Sequence, residues 1–373
     1  MANYLHKLFS TAEVTDASDI HLTKDEPAYL RIGGRIVPAK DRPLTEDDII
    51  QMIEETFLHD ERQRFEQRGY IDYAYETTIS HDGRDKLVRY RVHLYRSRGS
   101  MTAAMRRIKL DIPSFEQLML PPAYEKVMSL RPKGIIVIGG ETGSGKSTTL
   151  ACMIDYINSR REKHIVTIED PIEYVIGNGK SKINQRELGQ DFSTFPDALR
   201  AVVREDPDVI MIGELRDSET VRAAIAAAET GHLVLTSLHI ASAAEAVHRI
   251  LYFFPPHEEN SVRQNLSGTL IAVLNQILLP TAPEAVRRGM PKRIPATEVL
   301  LNNSVVREYL RDPDHDRNLM DLISEQGGDL SGMHDFNFSL KQLCEKELLG
   351  TDVAIGASLR PEHLRMAFKG IAV

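Results

Sequence analysis

Two cysteines stand in 373 residues, Cys152 and Cys344, far apart and in no CxxC pair. That scarcity excludes a disulfide framework and a cysteine-built structural zinc site, and it suits a reducing compartment. Cys152 falls on the apolar face of an expected helix and reads as a small core residue. Long apolar runs are also lacking. The best, Leu266 to Leu279, is broken by Ser267, Asn275 and Gln276 and closed by Pro280, so no bilayer span is expected. The first residues, Met1-Ala2-Asn3-Tyr4-Leu5-His6-Lys7, carry no apolar signal-peptide core, and a cytoplasmic protein is expected. A basic excess is missing too. The 46 Lys and Arg against 54 Asp and Glu leave a net charge of −8, which argues against a general nucleic-acid binder but not against a local basic patch. There is no internal repeat and no low-complexity tract.

What is present divides in two. Up to Leu110 the texture is α+β. Tyr29 to Val37 reads as strand, Gly33-Gly34 turn, strand. Thr45 to Phe57 reads as a helix capped by Thr45, and Leu87 to Tyr95 and Thr102 to Ile108 read as strands. Asp111-Ile112-Pro113-Ser114 reads as a linker, because Pro113 disfavours helix at Ile112. Residues 115–373 form the second domain. Four short apolar runs there, Ile135 to Ile138, Ile165 to Ile168, Val209 to Ile212 and Leu233 to Leu235, alternate with helices, the signature of an α/β fold with a mainly parallel sheet. Each run is followed by polar or glycine residues, and ligands of such sheets bind beyond the carboxyl ends of the strands. The four segments should therefore converge on one crevice. From Pro255 the pattern reads as mostly helical. Ser261 to Leu279 is one long candidate, a proline-bearing loop with Arg287, Arg288, Lys292 and Arg293 follows, and further helices are expected at Ser304 to Leu310, Leu319 to Glu325, Ser339 to Leu348 and Pro361 to Phe368.

Gly140-Glu141-Thr142-Gly143-Ser144-Gly145-Lys146-Ser147 matches the phosphate-binding pattern G-x-x-x-x-G-K-[ST] between an expected strand and an expected helix, Lys146 to Asn158. Glycines let backbone N–H groups turn toward a phosphate, and the helix N-terminus adds partial positive charge. Lys146 should reach the β- and γ-phosphates of ATP, Ser147 should ligate Mg²⁺, and Thr148 continues the cradle. Glu214 ends the third strand, where a carboxylate can orient the attacking water and take its proton; the bland alternative is a surface acid paired with Arg216. Glycine precedes Glu214 where many such enzymes carry a metal-binding aspartate. An acid of Glu169-Asp170-Pro171-Ile172-Glu173 could serve Mg²⁺ through a water, with another positioning the nucleophile, or the turn is simply a capped, solvated one. His232 and His239 flank the last strand and could report hydrolysis or be structural. Arg91, Arg96, Arg98, Arg106 and Arg107 crowd the end of the first domain, as a salt-bridged strand surface or as arginine fingers. Asp217 to Gly231 reads as a capped, alanine-rich packing helix.

Together these motifs resemble the secretion-ATPase superfamily, and within it the PilT-like type IV pilus retraction ATPases. The resemblance covers nearly the whole chain, from Ala17-Ser18-Asp19-Ile20-His21-Leu22 to the last helices. Gly140 to Ser147 is similar to its P-loop, Thr167 to Glu173 to its Asp box, Arg204 through Asp217 to its Walker B and Glu229 through His239 to its His box. Ile240-Ala241 stand where that family commonly has threonines. The resemblance implies a PAS-like N-terminal domain before a RecA-like ATPase domain with C-terminal helices. It implies Glu214 as the catalytic glutamate with Glu173 assisting, and His232 and His239 as links between nucleotide state and subunit movement. Arg91 and Arg106 fall on its two N-domain arginines, which act on ATP at a neighbouring subunit. It further implies a homo-hexamer working on an inner-membrane platform protein, with no nucleic acid and no membrane contact of its own. The expectation is an Mg·ATP-hydrolysing motor for pilus disassembly. The alternatives are a PilT-like type IV secretion ATPase, a nucleic-acid translocase, and a scaffold that binds nucleotide without turnover.

Overall fold

The computed structural model describes residues 2–39, 41–57, 61–81, 84–108, 110–130, 132–312, 318–325 and 332–370. The chain divides into two units, Met1–Asp111 with Glu173–Val175, and Ile112–Ile172 with Ile176–Val373.

In the first unit, strands β1 (Ala17–Leu22), β2 (Tyr29–Ile32), β3 (Arg35–Pro38), β4 (Tyr70–His81), β5 (Arg84–Ser97) and β6 (Ser100–Ile108) form an antiparallel sheet in the order β3-β2-β1-β6-β5-β4. The β2–β3 turn needs its two glycines, since Gly33 and Gly34 both take positive φ, at 55° and 82°. Helix Ala2–Val14 was not foreseen from the sequence. It buries Leu5, Leu8, Phe9 and Ala12, one face at helical spacing, and Phe9 stacks on Tyr90 of β5 at 4.2 Å. Helix Glu46–Glu54 starts where Thr45 was expected to cap it. Thr45 and Asp48 make a reciprocal capping box, and the helix stops three residues before Phe57.

The second unit holds β7 (Gly134–Gly139), β8 (His164–Glu169), β9 (Lys182–Glu187), β10 (Val209–Ile212), β11 (Leu233–Leu238), β12 (Leu270–Pro280) and β13 (Arg293–Leu301), in the order β13-β12-β7-β11-β10-β8-β9. All neighbours pair parallel except β12 with β13. The four expected strands are thus β7, β8, β10 and β11, side by side with their carboxyl ends on one edge. Helices Lys146–Arg160 and Ser218–Glu229 lie close to their expected places, and helix Ala243–Tyr252 follows β11. Cys152 is buried, and burial pushes its thiol up to about 12, as suits an inert core residue.

Ser261 to Leu279 is not one helix: the helix is Glu259–Thr269, and from Leu270 the chain becomes β12, a strand enclosed by β7 and β13. Enclosed strands are buried on both faces and lose the polar alternation that marks a strand in sequence. The proline-bearing stretch after it is likewise not all loop. Helix Pro283–Arg287 is followed by β13, and Pro295 is tolerated because β13 is a sheet edge. The helix expected from Ser339 instead runs Phe336–Glu345, started three residues earlier by the cap Asp335, whose side chain accepts from Phe338 N–H.

Candidate active site

The phosphate-loop residues leave the end of β7 and turn into helix Lys146–Arg160. Gly140, Gly143 and Gly145 all have positive φ. A Cβ on Gly140 would collide with the Gln276 carbonyl and the Ser144 side chain, so only glycine closes the loop this tightly. Lys146 folds back over the loop, donating from Nζ to the carbonyls of Gly140 (2.8 Å) and Glu141 (2.9 Å). The helix has no side-chain N-cap, and Ser147 and Thr148 stand half-buried in its first turn. The Ser144 hydroxyl is buried with no hydrogen-bond partner among the described residues. A glycine cradle, an uncapped helix start and an orphaned hydroxyl together fit a bound phosphate chain.

The other strand ends carry acids and a histidine. Glu169 closes β8, buried, accepting from Thr167 Oγ1 at 2.6 Å and Gln185 Nε2 at 3.0 Å. Glu214 follows β10 through Gly213. Arg216 holds it from one side, donating from Nε to Oε1, and extends its Nη1 to Asp170 Oδ2 at 2.9 Å. From the other side His239, just past β11, brings Nε2 within 3.2 Å of Glu214 Oε2. Burial, then the cations of Lys146, Arg216 and Arg249, lowers the His239 pKa, so the ring is neutral at pH 7. Lys146, Asp170, Glu214 and His239 thus meet on one edge, and Arg216 is the bridge that sequence reading treated only as an alternative partner of Glu214.

Not every expected residue joins them. His232 precedes β11 and sits at the opposite edge of the sheet. Its Nδ1 faces the Ala227 carbonyl at 2.8 Å and Thr230 Oγ1 at 3.2 Å, closing the end of helix Ser218–Glu229. A six-residue strand of about 20 Å separates it from His239. Glu173 is exposed and falls in the first unit. In that same unit Arg91 and Arg106 are direct cross-strand partners on β5 and β6. Arg91 lies 3.6 Å from Asp72, and Arg106 donates from Nε to Asp19 at 2.9 Å. Burial alone would raise the Asp19 pKa; hydrogen bonds from Ser18 and Arg106 outweigh it and hold the carboxyl below its ordinary value. Within the basic run Arg287 pairs with Glu284 and Arg288 with Glu347, both at the surface, and Arg293 donates to the Gly143 carbonyl at 3.1 Å.

Sequence reading missed three buried polar residues behind the loop. Gln276 on β12 donates from Nε2 to the Ser144 carbonyl (2.8 Å) and accepts from Thr149 Oγ1 (2.9 Å). Asn275 beside it donates to the Ala241 carbonyl at 2.9 Å. Glu298 on β13, 1% exposed, accepts from Ala243 N–H. Their signal was present: Asn275 and Gln276 interrupt an otherwise apolar run. Burial raises the Glu298 pKa from 4.5 to about 7. Between those values the folded chain keeps a proton that the unfolded chain has lost. Stability from this group is therefore full below about pH 4.5 and lost as pH rises to about 7, a change worth about 3 kcal/mol. Glu298→Gln should gain on the wild type by that order between pH 5 and pH 8 in urea unfolding. A gap that does not vary with pH would show that Glu298 is ionised throughout.

A mainly parallel sheet carrying a phosphate loop, a strand-end glutamate and a histidine on its carboxyl edge is the arrangement of a RecA-like P-loop ATPase. The family of type II/IV secretion system proteins matches residues 1–310. The chain belongs to that family. It is 35% identical over 347 residues to the type IV pilus retraction ATPase PilT of Pseudomonas aeruginosa, covering 93% of this chain and 96% of that one. It is 38% identical to a twitching motility protein of Neisseria gonorrhoeae, covering 83% and 79%. Its fold is similar to the crystal structure of the pilus retraction motor PilT with bound ADP, with a TM-score of 0.85, 39% identity and coverage of 96% and 98%. It is a PilT-like, nucleotide-binding ATPase. No helix among the described residues is long and apolar enough to cross a membrane.

Proposed function

We propose that this chain hydrolyses ATP to power type IV pilus retraction, as a homo-hexamer docked on an inner-membrane platform protein. The observation that carries the reading is the meeting of Lys146, Glu214 and His239 on one sheet edge, in a chain that shares nearly its whole length with a pilus retraction ATPase.

Within this reading Gly140 to Thr148 cradle the phosphates. On nucleotide binding Lys146 exchanges its two loop carbonyls for phosphate oxygens. Ser147 would hold Mg²⁺, with Glu169 or Asp170 acting through water; the hydroxyl and carboxylate oxygens are the hard donors this cation takes. Bound Mg²⁺ would neutralise charge on the phosphates. Glu214 orients the attacking water and takes its proton, and the neutral His239 beside it can donate to the same carboxylate. Glu173 assists from the Asp box. His232 works away from this edge, at a helix end. Arg91 and Arg106, held side by side, serve ATP bound at a neighbouring subunit, where a fixed guanidinium stabilises developing charge. The net charge of −8 favours this reading over a nucleic-acid translocase.

Deletion of the gene should abolish retraction of fluorescently labelled pili. The wild-type gene should restore it and Glu214→Gln should not. Undiminished retraction in the deletion strain would overturn the proposal, and loss of effector export instead would identify a type IV secretion role.

A further inference from the structure

Strand β12 is apolar from Leu270 to Leu279 except at two adjacent positions, Asn275 and Gln276. Both are buried, at 0% and 2% exposure. Polar side chains are costly to bury and must be satisfied, so a pair of them in the middle of an enclosed strand needs a reason. Adjacent residues of a strand face opposite sides of the sheet, and this pair grips a different segment on each side. Gln276 uses both ends of its amide on the phosphate-loop segment, at the Ser144 carbonyl and the Thr149 hydroxyl. Asn275 grips the Ala241 carbonyl, two residues beyond His239. Opposite Asn275 on β13 stands Glu298, which accepts from Ala243 N–H at the start of helix Ala243–Tyr252. The Asn275 Oδ1 has no hydrogen-bond donor among the described residues.

We infer that Asn275 and Gln276 are positioning residues that tie the phosphate loop to the segment carrying His239. The inference rests on the ATPase class alone. The contact at Ala241 is made by its backbone carbonyl, so it does not depend on the side chain there. When nucleotide fills the phosphate loop, any adjustment at Ser144 or Thr149 passes through Gln276 to its neighbour and on to residues 239–243. His239 touches Glu214, so loop occupancy is thereby linked to the catalytic edge.

The two residues should fail differently. Gln276→Glu keeps an acceptor for Thr149 but opposes a carboxylate to the Ser144 carbonyl. It should raise KM for ATP by about tenfold with kcat within about threefold. Asn275→Leu keeps the volume and removes the donor. It should leave ADP affinity within about twofold and lower kcat by about tenfold. Asn275→Ser, whose hydroxyl is too short to reach Ala241, should do the same if the leucine variant does not fold. The decisive readout is hydrogen exchange at residues 239–243 with and without MgADP. The wild type should show a nucleotide-dependent change there, and the Asn275 variants, still binding ADP, should not. A purely structural Asn275 would lower the active fraction but leave that change intact. An unaltered change in the Asn275 variants, or none in the wild type, would overturn the inference.

Discussion

Glu214→Gln is expected to bind ATP within about twofold of the wild type and to release phosphate about 10²- to 10³-fold more slowly. The substitution preserves shape. A glutamine carbonyl can still accept from Arg216 Nε, so the bridge to Asp170 survives. What disappears is the base, since an amide cannot take the proton of the attacking water. His239 does not replace it: burial, and then the cations of Lys146 and Arg216, already resist the positive charge that a proton would bring. The loss should therefore fall on turnover and not on KM. A drop in ATP affinity equal to the drop in rate would assign Glu214 to binding instead.

Lys146→Ala is expected to lose both. The ammonium closes the loop over the Gly140 and Glu141 carbonyls, and in the proposed function it turns from them to the phosphates. Its removal should weaken ATP binding by about 10²-fold or more, equivalent to about 3 kcal/mol, and leave no measurable turnover. Folding should persist, because the lysine caps a loop and is not part of the apolar core. Calorimetric titration with ATP on samples with matched thermal unfolding checks this, and unchanged affinity would contradict it.

The parts legible in the sequence were those with local chemistry. The glycines and Lys146 specify a loop whatever packs behind it, and β7, β8, β10 and β11 announced themselves as short β-branched runs ending in polar residues. Thr45 and Asp217 were readable as caps because capping is decided within four residues. What stayed hidden depends on distant partners. β12 reads as the tail of a helix because both its faces are covered. The pairing of Arg91 with Arg106 is a register fact of β5 and β6, invisible in a spacing of fifteen residues. His232 and His239 look equivalent as flanks of one strand, yet only His239 lies at the end beside Glu214. Arg216, read as a possible partner of Glu214, also reaches Asp170, 46 positions away in the chain.

Phosphate release by purified wild type, Lys146→Ala and Glu214→Gln chains, with ATP binding measured on the same samples, decides whether this sheet edge hydrolyses ATP. Turnover at the wild-type rate is expected in the wild type alone, with binding retained by Glu214→Gln and lost by Lys146→Ala. Equal phosphate release from all three would place hydrolysis somewhere other than this sheet edge.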